Sequence, residues 1–113
     1  MIKVLKTDGK TVVSVNGSGR IDLKNGEELY KTVLQYMEKD HTIVLNLKKV
    51  IFIDTNGFNK LESLKLEADK TGCKIELSHM SEALSELFNL MELNDLFVWT
   101  ESNNLSGKRL VLN

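Results

Sequence analysis

The residues best placed to do chemistry form the segment Asp54-Thr55-Asn56-Gly57, between an apolar run and a helical pattern. A helix N-terminus offers free N–H groups and a partial positive charge, so a hydroxyl there is exposed, rigidly held and close to a place that tolerates phosphate. Two interpretations follow. The hydroxyl of Thr55 accepts a phosphate, or Thr55 or Asn56 simply caps the helix, which requires no function and which local chemistry alone favours.

The other reactive residue types have simpler interpretations. The segment Gly17-Ser18-Gly19 has the start of a dinucleotide-binding fingerprint, but Asp22 stands at the third glycine position, so we expect a turn. Cys73 lies on a predicted buried strand and is expected to act as a small apolar residue. His79 reads as a solvated loop histidine, and His41 has no companions at metal-ligand spacing. The sequence therefore predicts no enzyme, no metal site and no cofactor.

The first half of the chain predicts a hairpin, a helix and a buried strand. Asp8-Gly9 is a tight-turn signal between two alternating segments, which we expect to pair antiparallel. Asn25 resembles an N-cap, and the predicted helix runs to Asp40-His41 with Leu29, Val33, Tyr36 and Met37 facing a sheet. Residues 42–47 (TIVLNL) then form a strand covered on both faces, and residues 50–53 (VIFI) form a further strand.

The second half predicts two more helices and two more strands. A helix follows Gly57 with Leu61, Leu64 and Ala68 on its apolar stripe and ends at Thr71-Gly72. Residues 73–77 form a strand parallel to residues 42–47, and Ser81 begins a third helix with Leu84, Leu87, Phe88 and Met91 on its apolar face. A last short strand covers residues 96–99. Residues 100–113 are either an extra strand or a frayed end.

This alternation predicts the α/β class, with a single mixed, mostly parallel β-sheet and helices packed on it. The 113 residues fit one domain, residues 1–113. Fifteen basic and sixteen acidic residues give a net charge of −1, so nothing supports a nucleic-acid partner. We expect a cytoplasmic protein without membrane insertion, because no signal-peptide pattern opens the chain and its apolar runs are short.

Several segments, in order, resemble the STAS domains of anti-sigma-factor antagonists. Residues 43–47 and 52–58 (FIDTNGF) are similar to the family's hydrophobic strand followed by D-S-[ST]-G-L. Residues 19–22 (GRID) are similar to its G-E-L-D, and residues 82–97 resemble its P-A-V-x-x-L-F stretch. Three departures stand out: Thr55 replaces the serine, Asn56 the second hydroxyl, and Asn59 a frequent second glycine.

The resemblance implies a binding switch. In these antagonists the residue at the position of Thr55 is phosphorylated by a serine/threonine kinase of the histidine-kinase-like ATPase type, which is also the anti-sigma factor. The unphosphorylated antagonist binds that partner, and phosphorylation releases it; ATP and Mg²⁺ belong to the kinase. The alternative is a STAS subunit of another assembly, such as a stressosome-like scaffold or a lipid-transport ATPase complex.

Helical spacing extends the expected partner surface beyond the loop. At about 100° per residue, Asn59, Glu62 and Leu66 share a stripe away from the core-facing residues of the helix. The predicted partner-binding residues are the segment 54–57 together with this stripe. A single exposed leucine is common in proteins and needs no explanation, so Leu66 as an ordinary surface residue remains the alternative.

Overall fold

The protein folds as a mixed sheet with three helices, described by a computed structural model for residues 2–17, 19–90 and 98–100. The elements in chain order are β1 (Ile2–Thr7), β2 (Lys10–Val15), β3 (Arg20–Ile21), α1 (Leu23–Leu34), β4 (Thr42–Asn46), β5 (Phe52–Ile53), α2 (Thr55–Thr71), β6 (Lys74–Ser78), α3 (Glu82–Leu90) and β7 (Val98–Thr100). The main sheet has the order β1-β2-β4-β6-β7, and β3 pairs with β5 in a separate short ladder.

The predicted sheet topology is confirmed. β1 and β2 pair antiparallel through the turn at Gly9, whose φ of 75° suits glycine. β2, β4, β6 and β7 then pair parallel in that order. The α/β class and the mostly parallel sheet follow from these pairings. The ladder between β3 and β5 is an addition to the single sheet that we predicted.

The core lies between the main sheet and the helices. Leu29 and Val33 of α1 and Leu61 and Leu64 of α2 have no exposed surface, as their helical spacing predicted. They pack in one cluster with inward-facing strand residues such as Leu45. This burial of apolar surface is the dominant stabilising contribution and holds both helices on the sheet.

The predicted bounds of α1 were wrong at both ends. Asp22, not Asn25, is the N-cap: its carboxylate accepts a hydrogen bond from the Asn25 N–H while the Asn25 side chain accepts one from the Asp22 N–H. The helix ends at Leu34, because the next N–H groups donate to carbonyls only three residues back. Tyr36 and Met37 pack against the core from beyond the helix end.

The remaining elements match the sequence with small shifts. α2 ends at Thr71, with Gly72 as its left-handed C-cap, and Ser81 accepts a hydrogen bond from the Leu84 N–H at the start of α3. The predicted strand at residues 50–53 shrinks to Phe52–Ile53, since Val50 turns into the core and Ile51 turns out. The predictions for Met91, for Leu96 and Phe97, and for residues 101–113 lie outside the described residues.

Candidate functional site

Asp54 is the N-cap residue of α2. It follows β5 directly, and its Oδ1 accepts a hydrogen bond from the Gly57 N–H at 2.9 Å. An ionised carboxylate here satisfies a free helix N–H and interacts favourably with the helix dipole. The alternative that Thr55 or Asn56 caps the helix was therefore wrong.

Thr55 is the first residue of α2, and its side chain is exposed. Since Asp54 supplies the cap, the threonine hydroxyl is not needed for it, and it makes no hydrogen bond within the described residues. Asn56 is also exposed. The loop thus presents a hydroxyl at a helix N-terminus, where the N–H groups and the helix dipole favour an anion.

Gly57 determines how closely α2 approaches the short ladder of β3 and β5, and therefore where the Thr55 hydroxyl lies. It is buried, and a Cβ atom there would overlap the carbonyl oxygen of Ile21 and lie 2.8 Å from Cγ2 of Ile53. Only glycine lets α2 start this close to the short ladder. Its burial leaves Gly57 little surface for a partner, so we assign it a positioning role within the predicted site.

The short ladder of β3 and β5 adjoins the start of α2. Arg20 pairs with Phe52 and Ile21 with Ile53, and the Asp54 N–H donates to the Ile21 carbonyl at 3.1 Å. This ladder connects the segment after β2 to the start of α2. The ladder was not predicted from the sequence, in which the apolar pair of Ile21 and Ile53 was the only signal.

The predicted stripe on α2 is exposed. Asn59 and Glu62 are exposed, and Leu66 keeps 57% of its accessible surface. The opposite side of the helix carries the buried residues Leu61 and Leu64. The geometry therefore makes the stripe accessible from solvent, and its contact with a partner remains a prediction.

An ion pair joins α1 to α2 beside the site. Lys60 Nζ lies 2.6 Å from Glu27 Oε1 and 4.9 Å from the centre of the Tyr30 ring. The hydrogen bond from Lys60 lowers the pKa of the Glu27 carboxyl below its ordinary value, and the charge of Lys31 adds to this. The pair connects the second turn of α1 to the second turn of α2.

The other residues singled out in the sequence lie in surroundings that indicate structural roles. Gly19 has a φ of 83° and accepts hydrogen bonds from the Ile51 and Phe52 N–H groups, which makes its segment a turn. Burial raises the pKa of the Cys73 thiol. His41 is buried, with Nε2 2.7 Å from the Thr11 hydroxyl oxygen, a partner that its sequence position did not reveal. Within the described ranges no group of three potential metal ligands occurs.

None of the helices that the structure describes combines the length and apolar character needed to cross a bilayer. The longest, α2, carries charged residues on its exposed side.

Comparison with known proteins agrees with the resemblance found in the sequence. The family model of the STAS domain matches residues 1–106. A STAS-domain anti-sigma-factor antagonist protein from Planctomyces limnophilus has 16% identity and a TM-score of 0.74, over 85% of this chain and 86% of that one. SpoIIAA of Bacillus in its phosphorylated form has 16% identity and a TM-score of 0.63, over 90% and 93%. The mouse anion transporter Slc26a9 has 22% identity and a TM-score of 0.63, over 73% of this chain and 14% of the transporter. These structures share the fold.

Proposed function

This chain belongs to the STAS domain family, and we propose that it is a protein-binding switch of the anti-sigma-factor antagonist type. Unphosphorylated, it binds an anti-sigma factor that is also a serine/threonine kinase of the histidine-kinase-like ATPase type. Phosphorylation of Thr55 releases that partner. The likeness to antagonist structures from Planctomyces limnophilus and Bacillus supports this class of function.

The observation that carries the proposal is the exposed hydroxyl of Thr55 at the first position of α2. Asp54 caps the helix, so modification of Thr55 removes no capping bond. A phosphate placed there lies close to free helix N–H groups, which favour it. We therefore expect the fold to tolerate the modification.

Phosphorylation affects partner binding differently from the way it affects the fold. Phosphorylation adds about two negative charges beside Asp54. A partner surface fitted to a neutral hydroxyl then faces charge repulsion and the cost of desolvating the phosphate. The partner-binding residues that we propose are Asp54, Thr55 and Asn56 in the loop, and Asn59, Glu62 and Leu66 on α2, with Gly57 holding the loop in position. This arrangement places the modification within the contact.

In this proposal the chain is a binding domain and not an enzyme. The kinase supplies ATP and Mg²⁺, and the transfer of the phosphate takes place in the active site of the kinase. The nearly balanced charge of the chain supports a protein partner rather than a nucleic acid. A cytoplasmic location suits a partner that regulates transcription.

Phosphate mapping tests the proposal. The wild-type chain is incubated with the anti-sigma kinase of its own organism and ATP, and the modified residue is located by mass spectrometry. Thr55→Ser should remain a substrate, whereas Thr55→Ala should accept no phosphate. Thr7, also exposed, serves as the internal control. Phosphate on another residue, or no phosphate from a kinase that is active on its own substrate, would refute the assignment.

The shared fold with Slc26a9 supports a second candidate, a STAS domain that serves a membrane transport assembly. The stressosome-like scaffold and the lipid-transport complex belong to the same broad alternative. In each of these the domain binds other subunits without an anti-sigma kinase. Binding of the purified kinase to the unmodified chain separates the candidates, since only the antagonist function requires it.

A further inference from the structure

The three helices that the structure describes pack on one face of the main sheet, and the hairpin of β1 and β2 is open to solvent on the other face. Val13 of β2 lies in the core cluster with residues of all three helices. Side chains alternate along a strand, so its neighbour Val12 faces away from the helices. Leu5 of β1 pairs with Val12 and keeps 66% of its accessible surface. The outer strand of the sheet therefore presents an apolar side chain to solvent.

Two lysines lie beside Leu5 on this open face. Residues directly opposite each other in an antiparallel pair project to the same side of the sheet. Lys3 pairs with Ser14, two positions along the strands in one direction from Leu5 and its partner. Thr7 pairs with Lys10, two positions along in the other direction. The alternation of side chains therefore places Lys3 and Lys10 on either side of Leu5.

A concavity extends this face to the turn after β4. Its volume is about 220 Å³, and the residues that line it include Lys3 and Ser14 of the hairpin. Lys48 and Lys49 line it from the turn. Its other described lining residues are Val15, Asn16 and Asn46, so no carboxylate is among them. The strand register and the concavity together join these lysines and Leu5 into one surface.

Positive charge on this surface is poorly neutralised. Four lysines of α1 and α2 form ion pairs with carboxylates, whereas the four lysines of the open face form none among the described residues. Asp8, at the turn, is the only carboxylate in residues 2–15. Glu76 faces the same way on β6, two strands farther into the sheet. The face is therefore basic, although the whole chain has a net charge of −1.

An anionic lipid surface matches this combination of lysines and an exposed leucine. Each lysine close to an anionic membrane strengthens binding about fivefold, and a leucine gains by entering the headgroup region. A nucleic acid also attracts lysines, but single strands bind by stacking on aromatic side chains, and none of these residues is aromatic. The exposed Leu5 therefore favours a lipid surface over a nucleic acid.

We propose that the hairpin face, defined as Lys3, Leu5, Lys10, Val12, Lys48 and Lys49, binds the surface of a membrane that contains anionic lipids. The lysines contact lipid phosphates, and Leu5 enters the headgroup region without any segment crossing the bilayer. The cytoplasmic location that we propose exposes the chain to the leaflet with a negative surface potential. The hairpin face does not include the loop of residues 54–57, so this inference goes beyond the proposed function and does not depend on it.

Co-sedimentation of the full chain with vesicles tests the role of the lysines. Vesicles of equal parts phosphatidylglycerol and phosphatidylcholine are compared with vesicles of phosphatidylcholine alone. The double variant Lys3→Glu/Lys48→Glu is compared with Lys24→Glu/Lys70→Glu, which makes the same charge change at exposed positions of α1 and α2. Circular dichroism verifies that each variant is folded.

Wild type should bind the anionic vesicles but not the neutral ones, and rising salt should release it, because salt screens the attraction. Lys3→Glu/Lys48→Glu should bind at least about 25-fold more weakly, since it loses two contributions of about fivefold each. The control should stay within about threefold of wild type, because its charges lie on the helical side of the sheet and are screened.

A second pair of variants tests the contribution of the leucine. Leu5→Thr suits a strand and removes the apolar side chain, so it should weaken vesicle binding at least about threefold. Leu90→Thr is the control, because Leu90 ends α3 with 78% of its surface exposed, and it should bind like wild type.

Three outcomes would overturn the proposal. Wild type may not bind the anionic vesicles even at low salt, which refutes membrane binding outright. Equal losses in the two lysine variants would show that net charge, and not the hairpin face, causes the attraction. Tighter binding to a single-stranded oligonucleotide than to vesicles, with no effect of Leu5→Thr, would identify a nucleic acid as the occupant. None of these outcomes involves the kinase, so the proposed function is tested separately.

Discussion

The substitution Gly57→Ala tests how the loop is positioned. The added Cβ would overlap the Ile21 carbonyl oxygen and lie 2.8 Å from Cγ2 of Ile53. Neither neighbour can move without shifting the short ladder, because Ile21 and Ile53 pair with each other and are both buried. Overpacking of this kind costs about 1–3 kcal/mol. Because the overlapped atom belongs to the backbone, we expect a cost in the upper part of this range, about 2–3 kcal/mol. Alanine recovers up to about 1 kcal/mol of helix propensity, so we expect a net loss of about 1–2 kcal/mol.

Gly26→Ala is the matched control on the facing helix. Its Cβ would lie 3.3 Å from Cγ of Lys60, which is part of a flexible side chain, and 3.7 Å from the Gly57 Cα. The lysine can move slightly, so the gain in helix propensity of up to about 1 kcal/mol should dominate. The two substitutions add the same methyl group on opposite sides of one helix contact and should have opposite signs.

Thermal unfolding followed by circular dichroism measures both variants. For a domain of this size, 1 kcal/mol corresponds to about 4 °C in the melting temperature. Gly57→Ala should therefore melt about 4–8 °C below wild type, and Gly26→Ala at or slightly above it. If Gly57→Ala were as stable as wild type, the close approach of α2 to the ladder would not exist and the positioning of Thr55 would need another cause.

The remaining predictions use single substitutions near the site. Asp54→Ala should lower the free energy of unfolding by about 1 kcal/mol in urea denaturation, because it removes the helix cap from the Gly57 N–H; an unchanged value would mean that the cap does not form in solution. Glu27→Gln should lower stability at neutral pH, since the hydrogen bond from Lys60 lowers the pKa of Glu27 in the folded state. A carboxyl group whose pKa is lowered by folding stabilises the protein at pH values above its ordinary pKa of 4.5. This stabilisation is lost as the pH falls through the pKa of the folded state, so the stability curves of wild type and Glu27→Gln should converge in acid. A constant difference between the two curves would contradict this. Leu66→Asp should change the free energy of unfolding by no more than about 0.7 kcal/mol while weakening kinase binding; unchanged affinity would exclude the α2 stripe from the interface.

The fold was predictable where one local signal dominates. The Asp8-Gly9 turn located the hairpin, and Gly72 located the end of α2. The start of α1 was not predictable in the same way, because Asp22 and Asn25 are both good N-caps. The choice between them depends on where β3 ends, which is set by its pairing with β5.

The position of the candidate loop was predictable, but the geometry of its residues was not. The run of residues 54–57 between a strand and a helix located the loop, yet the sequence could not show which residue caps α2. The ladder was missed because two-residue strands are too short to show an alternating pattern. The exposure of Ile51 follows from its turn toward Gly19, a contact between residues 32 positions apart in the chain. Contacts of that kind depend on tertiary structure and leave no local signal.

The proposed switch requires that the anti-sigma kinase bind the chain phosphorylated at Thr55 more weakly than the unmodified chain. The phosphorylated chain is purified to homogeneity and titrated beside the unmodified chain in the presence of ADP. Circular dichroism should show the same fold in both, because the phosphate lies at a helix N-terminus. We expect tight binding of the unmodified chain and a loss of affinity of at least about 100-fold, or about 2.7 kcal/mol, after phosphorylation. Equal affinity of the two forms would show that Thr55 is not the switch.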